Sequence, residues 1–154
     1  MAYQKLQPSR ALAVIKSDDV DIPNPAMLIV SSTTTGASAG KLIDSAGDFV
    51  NKGVKVGDIV YGGTTVAATV TGVDSDTQLS VSTAVGTTTA YKIFSNETPN
   101  NGCVLYVGTG GDLEITTAAG DTVEFANMAN GTFLPVQVLR VLDSGATADI
   151  VALW

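Results

Sequence analysis

The apolar residues of this chain stand in short runs separated by Gly, Asn, Asp, Ser and Thr, and they show almost no helical periodicity. Runs of this length, with turn-forming residues between them, are typical of the strands of an all-β protein. The predicted strands are 11–16, 27–31, 55–61, 66–73, 78–83, 90–95, 103–109, 113–117, 121–126, 134–142 and 148–154. We therefore expect an all-β fold.

The turn residues between these runs predict hairpins. Gly-Gly-Asp at 110–112 supplies the permissive backbone angles of a tight turn between strands 103–109 and 113–117. Ala-Gly-Asp at 119–121 and Asp-Ser-Asp at 74–76 predict further hairpins in the same way. From Cys103 onward the sequence thus indicates a meander of successive hairpins.

Two polar segments indicate that one domain is inserted into another. Residues 31–40 are predicted to be a linker of small residues without an apolar anchor. Residues 95–102 form a second loop, in which Pro99 bars ladder hydrogen bonds. We interpret residues 32–95 as an inserted small β-barrel with one helical turn near 45–49. Residues 1–31 and 96–154 are expected to pair into a β-sandwich-like main domain.

The C-terminal strands predict an interface. Residues 134–142 and 150–154 are apolar at both parities after their first positions, whereas a half-buried strand alternates. Such strands are covered on both faces, by the other sheet and by either the insert or another subunit. A chain end on a large aromatic residue is also expected to be tied down. The interface candidates are Leu139, Val141, Val151, Leu153 and Trp154.

The low charge of the chain also favours burial against other chains. Charged residues make up 15% of it, against about 25% in an average soluble domain. The eight basic residues are scattered and the formal net charge is −7, which argues against a nucleic-acid partner. No apolar stretch approaches the ~20 residues of a membrane span, and the N-terminal residues do not resemble a signal peptide. We therefore expect no membrane partner and synthesis in a cytoplasm.

The residue inventory argues against an enzyme. The chain has no histidine, which removes the commonest general base and metal ligand and every Ser-His-Asp or Cys-His arrangement. A serine–lysine pair remains compatible with the composition. The only cysteine, Cys103, lies in an apolar run and is expected to be a buried structural thiol.

The carboxylates and the Gly-rich segment have structural explanations. Asp18, Asp19, Asp74, Asp76 and Asp112 stand where Asp forms turn hydrogen bonds. The pair at 74 and 76 has a spacing found in calcium loops, but it lacks their Gly and distal Glu. Residues 108–112 lead into a strand rather than a helix, so they are not expected to bind phosphate. We expect no catalytic residue, no cofactor and no metal.

Several stretches of the chain resemble phage structural proteins. The C-terminal motifs at 103–113, 120–125, 131–138 and 145–152 resemble the spike-base-like virion proteins of tailed phages and gene transfer agents. The motifs at 3–6, 10–15 and 21–25 are similar to the openings of small structural proteins of marine phages, notably cyanophages. Residues 41–44, 48–49, 53–61 and 91–93 look like a small barrel that recurs in phage structural proteins.

The resemblance implies a non-enzymatic virion protein, assembled in the host cytoplasm, that decorates the capsid or forms a head spike base. It implies self-association, as a trimer or pentamer, and attachment to the major capsid protein or other virion proteins. The insert departs from the bare spike-base pattern and leaves head vertex, general decoration and tail positions open.

The alternative is a tail- or fibre-associated module that binds a host receptor or glycan through exposed aromatic residues. Tyr61 and Tyr91 are the residues whose substitution would test that alternative. The sequence otherwise favours a core role for the aromatic residues in apolar runs, which are Tyr61, Tyr91, Phe94, Tyr106, Phe125, Phe133 and Trp154.

Overall fold

Strands arranged in two antiparallel sheets make up the computed structural model, which describes residues 8–154. The motif at 3–6 lies outside the described residues. The strands are β1 Ala11–Ala13, β2 Leu28–Thr33, β3 Lys41–Ile43, β4 Ile59–Gly62, β5 Val66–Ser75, β6 Gln78–Val81, β7 Ala90–Phe94, β8 Cys103–Thr109, β9 Gly111–Thr117, β10 Thr122–Met128, β11 Thr132–Val141 and β12 Ala148–Leu153. The predicted all-β class is confirmed.

Each of the eleven predicted strands overlaps an observed one, and three local features differ. The strand β3 was not among the predicted strands. Residues 45–49 form turns instead of the predicted helical turn. The described residues contain one short helical element, the 3-10 turn Pro25–Met27. Asn24 caps its N-terminus, because Asn24 Oδ1 accepts a hydrogen bond from Ala26 N over 3.0 Å.

The chain divides into two compact units, each with its own sheet. The terminal unit comprises the residues up to Ile22 together with Asn100–Trp154, and the insert unit is Pro23–Pro99. The observed boundaries lie outside the expected 32–95, because β2 pairs with β7 along its length and thereby belongs to the insert unit.

The terminal unit has the strand order β1-β12-β8-β11-β9-β10. The predicted hairpin between 103–109 and 113–117 is wrong, since β11 lies between β8 and β9 and pairs with both. Only β9 and β10 form a hairpin in this part of the chain, through the turn at Gly120 (φ 93°). Gly110 and Gly111 instead connect β8 to β9 across the intervening strand β11. A Cβ on Gly110 would lie 2.1 Å from the Met128 carbonyl oxygen, so only glycine fits there.

Two register shifts in β11 explain why its sequence is apolar at both parities. One shift lies between Leu134 and Val138, and the other between Val138 and Arg140. Leu134, Val138 and Val141 therefore all point into one core although their spacing is not even. Coverage on both faces is not needed for 134–142, which corrects the expectation drawn from its sequence.

The insert unit has the strand order β2-β7-β4-β5-β6-β3, and the predicted β5–β6 hairpin is formed. Its core is separate from that of the terminal unit and centres on Leu42, Phe49, Val60, Leu79 and Ile93. The segment 31–40 is not a linker. Its Thr34 is 2% exposed, and the hydroxyl donates to the Gly86 carbonyl and accepts from Thr89 N.

Candidate functional site

A row of apolar side chains crosses three neighbouring strands on the outer face of the terminal unit. In β8, Cys103, Leu105 and Val107 point inward and are 2%, 0% and 0% exposed. Tyr106 has the opposite parity and is 43% exposed. Its register partners are Phe133 on β11 and Val151 on β12.

Directly opposed residues of antiparallel strands have neighbouring side chains, so the three residues form a continuous strip. Phe133 is 52% exposed and Val151 is half-buried. One step along, Val104 on β8 faces Leu153 on β12, and both are half-buried. We call these five residues the outer patch: Val104, Tyr106, Phe133, Val151 and Leu153.

The predicted interface residues are not brought together as one set. Val151 and Leu153 lie in the outer patch. Val141 is 1% exposed and belongs to the core, so it has no surface to offer a partner. Leu139 lies at a register shift beside a different segment, where its carbonyl oxygen accepts from Ile22 N over 2.8 Å. Trp154 packs against the core.

The two most exposed members of the patch, Tyr106 and Phe133, were expected in the core. The sequence contains a signal for the exposure of Tyr106. Cys103, Leu105 and Val107 form an alternating apolar series that points to one face of the strand, and Tyr106 lies on the other face. No such signal marks Phe133. The exposure of Phe133 follows from its pairing with Tyr106. The predicted hairpin between 103–109 and 113–117 is incompatible with that pairing, because it places β9 beside β8 instead of β11.

A carboxylate borders the patch. Asp149 lies between the Ala148–Thr109 and Ile150–Val107 pairs of β12 and β8, two residues along β12 from Val151. A Cβ on Gly108 would approach both the Asp149 Cβ and the Asp149 carbonyl oxygen to 2.9 Å, so Asp149 borders the outer face. Its Oδ2 accepts from Thr109 Oγ1 over 2.8 Å. The outer face thus carries aromatic rings beside an exposed acid.

The carboxylates at 74 and 76 do not form a calcium loop. Asp74 is held by Lys41 Nζ at 2.7 Å, and it also accepts from Ser80 Oγ and Gln78 Nε2. These hydrogen bonds, that of Lys41 first, lower the pKa of Asp74 to about 2. Within residues 8–154 no three metal-ligating side chains of the His, Cys, Asp or Glu type come together.

Tyr61 and Tyr91 are core residues of the insert unit, 6% and 2% exposed. Tyr61 makes an edge-on ring contact with Phe94. The Tyr91 hydroxyl donates to Asp44 Oδ2 over 2.7 Å, and Ser32 Oγ donates to the same oxygen over 2.6 Å. Neither ring is accessible to a glycan.

The buried Asp44 is a satisfied structural carboxylate. Burial alone would raise its pKa, but hydrogen bonds from Ser32, Ala46 N and Tyr91, together with the charge of Lys52, lower it overall. Burial first, and then Asp44, raise the pKa of Tyr91. This arrangement stabilises an ionised acid beside a neutral phenol.

The sequence Gly-Ala-Ser-Ala-Gly at 36–40 matches the Gly-x-Ser-x-Gly pattern of a nucleophile elbow. It connects β2 and β3, so the strand–turn–helix context of such an elbow is missing at this position. Ser38 is exposed, and its carbonyl oxygen accepts from Lys41 N over 3.1 Å in a simple turn. With no histidine in the chain, Ser38 has no imidazole base.

Cys103 is buried, as expected from its apolar run. Its Sγ donates to the Val138 carbonyl oxygen over 3.3 Å, and burial raises the pKa of the thiol to about 12. A thiol that stays protonated at neutral pH is a poor nucleophile.

No protein-family model matches the chain, and no curated protein and no solved structure matches it significantly. In the described part of the chain, no helix has the length and apolar character needed to cross a membrane.

Proposed function

We propose that the chain is a non-enzymatic structural protein of a tailed-phage virion that decorates the capsid or forms a head spike base. It self-associates and attaches to the major capsid protein or other virion proteins. The observation that carries this proposal is the outer patch, an exposed strip of aromatic and aliphatic side chains on a regular sheet. The sequence resemblance of the C-terminal strands to spike-base-like proteins supports it.

The proposed assembly works through burial of the patch. Aromatic residues are enriched in the buried centres of protein interfaces, and Tyr and Phe are the most exposed members of this one. A stable contact would bury at least about 800 Å² on each partner, so residues around the patch would join it. A closed trimer or pentamer would bury the patch of each subunit against its neighbours.

We also propose that the insert unit is a small closed barrel. The support comes from Gly36, which continues the path of β2 and forms an isolated bridge with Ile43 of β3. Thr35 N donates to the Ile43 carbonyl oxygen over 2.8 Å. Since β2 and β3 are the two end strands of the six-stranded order, this bridge joins the ends. The terminal unit is then the sandwich-like domain, and the insert projects or grips a neighbour.

The assembly proposal is tested by native mass spectrometry and light scattering of the whole protein. We expect a trimer or pentamer, and we expect Tyr106→Ser combined with Phe133→Ser to shift it to monomer while the circular dichroism spectrum is retained. A matched control is Val56→Ser, which removes a side chain that is 65% exposed on the insert unit.

The virion location requires a separate measurement. Mass spectrometry of purified particles is expected to detect the protein at a stoichiometry set by capsid symmetry. A monomer at all concentrations, together with particles that lack the protein, would contradict the proposal.

A second function, host-receptor or glycan binding by a tail- or fibre-associated module, is favoured by one observation. Tyr106 and Phe133 expose their rings on the same face as Asp149, and an aromatic ring beside a carboxylate is a common arrangement for binding sugars. On a glycan array, Tyr106→Ala and Asp149→Asn should then each abolish a signal given by the wild-type protein. Loss of binding in a still oligomeric variant would favour this function over assembly.

A further inference from the structure

The strand β10 forms an open edge of the terminal unit. It pairs with β9, and among the described residues no strand pairs with its other side. The opposite edge of the same sheet is β1, which has only three residues, whereas β10 has seven. Open edges are usually guarded by Lys, Pro, a β-bulge or short length. The sequence Thr-Val-Glu-Phe-Ala-Asn-Met of β10 has neither Lys nor Pro, and its one register shift follows Phe125 and leaves residues 122–125 regular.

The hydrogen-bonding groups that face the open side can be assigned from the register. Thr117 N donates to the Asp121 carbonyl oxygen, which makes 117 and 121 a hydrogen-bonded pair. Such pairs alternate along an antiparallel ladder, so Val123 and Phe125 also bond toward β9. The register runs unbroken from Thr122 to Phe125, so the N–H and C=O groups of residues 122 and 124 point away from the sheet, toward a further strand.

The inner side of this edge exposes apolar surface. Val123 faces Ile115 and Phe125 faces Leu113 across the β9–β10 pair, and both β9 residues are 0% exposed. Val123 itself is 41% exposed, and Phe125 is only partly buried. An added strand would extend the core over these two side chains, as edge-strand binding does in general.

The negative charge of the β9–β10 hairpin indicates what kind of added strand would bind at this edge. Residues 93–139 contain no Lys or Arg, while β9, β10 and their turn carry Asp112, Glu114, Asp121 and Glu124. On the outer face Glu124 stands directly opposite Glu114, and like charges in this position are destabilising. A basic side chain opposite Glu124 on an added strand would relieve that repulsion. A second copy of this acidic chain would bring further carboxylates instead.

We propose that β10 is a strand-addition site for an extended, basic segment of another protein. The segment alternates, with Lys or Arg facing Glu124 on the outer side and aliphatic residues covering Val123 and Phe125 on the inner side. The site is distinct from the outer patch and does not depend on a role in a virion.

The probe is a nine-residue peptide of alternating lysine and valine, blocked at both ends and titrated into the whole protein by isothermal calorimetry and fluorescence anisotropy. A peptide with glutamate in place of lysine is its control. We expect the lysine peptide to bind at least tenfold more tightly than the glutamate peptide, and we expect binding to weaken with salt.

Two protein variants locate the binding. Glu124→Lys is expected to weaken binding of the lysine peptide at least tenfold and to strengthen binding of the glutamate peptide. Asp76→Lys is an equal charge change at an exposed position of the insert unit, and it should leave the affinity for both peptides unchanged. Thr122→Pro removes an N–H on the open edge, at the first residue of β10, and should abolish binding of either peptide.

Three results would overturn the proposal. They are no binding of either peptide, equal weakening of lysine-peptide binding by Glu124→Lys and Asp76→Lys, and a concentration-dependent oligomer that Thr122→Pro converts to monomer. The last result would assign β10 to a second copy of the chain.

Discussion

The indole Nε1 of Trp154 donates a hydrogen bond to Oδ1 of Asn100 over 3.1 Å. The same oxygen accepts from Gly102 N over 2.8 Å, and Asn100 Nδ2 donates to the Val138 carbonyl oxygen over 3.2 Å. Asn100 is 6% exposed. One buried amide therefore links the loop before β8, strand β11 and the residue after β12.

Replacing Asn100 by Ala should destabilise the terminal unit. The change leaves the Trp154 indole N–H, the Gly102 N–H and the Val138 carbonyl oxygen without this partner, and each buried polar group left unpaired costs about 1–3 kcal/mol. We expect a loss of about 2–4 kcal/mol in the free energy of unfolding, measured in urea. The neighbouring Asn101 is exposed, so Asn101→Ala should change stability by less than about 0.5 kcal/mol. Equal effects at the two positions would contradict the bonding scheme.

The insert unit should depend on the hydrogen bond between Tyr91 and Asp44. Tyr91→Phe removes one donor to a buried carboxylate and is expected to cost about 1.5–3 kcal/mol, since hydrogen bonds to charged groups are the stronger ones. Tyr106→Phe, the same change at an exposed ring, is the control. In a double-mutant cycle, Ser32→Ala should couple to Tyr91→Phe because both hydroxyls donate to Asp44 Oδ2. Additive losses would mean that the two bonds act independently.

The low pKa of Asp74 predicts how the stability of the insert unit varies with pH. A carboxyl with a folded pKa of about 2 and an unfolded value near 3.9 stabilises the fold fully above the unfolded value. That contribution is lost as the pH falls toward 2. The difference in Tm between the wild type and Asp74→Asn should thus be constant from pH 7 to about 5 and vanish near pH 2. A difference in Tm that grows as the pH falls would contradict this assignment.

The sequence predicted those features of the fold that depend on neighbouring residues, and it failed for those that depend on pairing between distant strands. Alternation and turn residues located β8 at its observed bounds and identified the turns at Gly120 and at 74–76, because these are local properties. The neighbour of β8 is β11, more than twenty residues away in the chain, and no local signal distinguishes that pairing from a hairpin at Gly110.

The structure divides the predicted interface residues between core and surface for a related reason. The unbroken apolar sequence of β11 predicts two covered faces, whereas register shifts on either side of Val138 bring Leu134, Val138 and Val141 to one core. In β12 no register shift intervenes, and Val151 and Leu153 do lie on the outer face. The exposed ring of Phe133 depends on a cross-strand pairing, and only the three-dimensional structure provides it.

The two predicted interface valines can be separated by one substitution made at each. Val141→Asp places a charge in a core position that is 1% exposed, and it should cost more than about 4 kcal/mol or prevent folding of the terminal unit. Val151→Asp places the same charge on the outer patch, where the carboxylate stays hydrated, and it should change the free energy of unfolding by less than about 1 kcal/mol. Urea denaturation followed by Trp154 fluorescence measures both effects. If the patch mediates assembly, folded Val151→Asp protein should be monomeric by light scattering. An oligomer that persists in this variant would show that β12 is not part of the interface. Equal stability of the two variants would contradict the assignment of Val141 to the core.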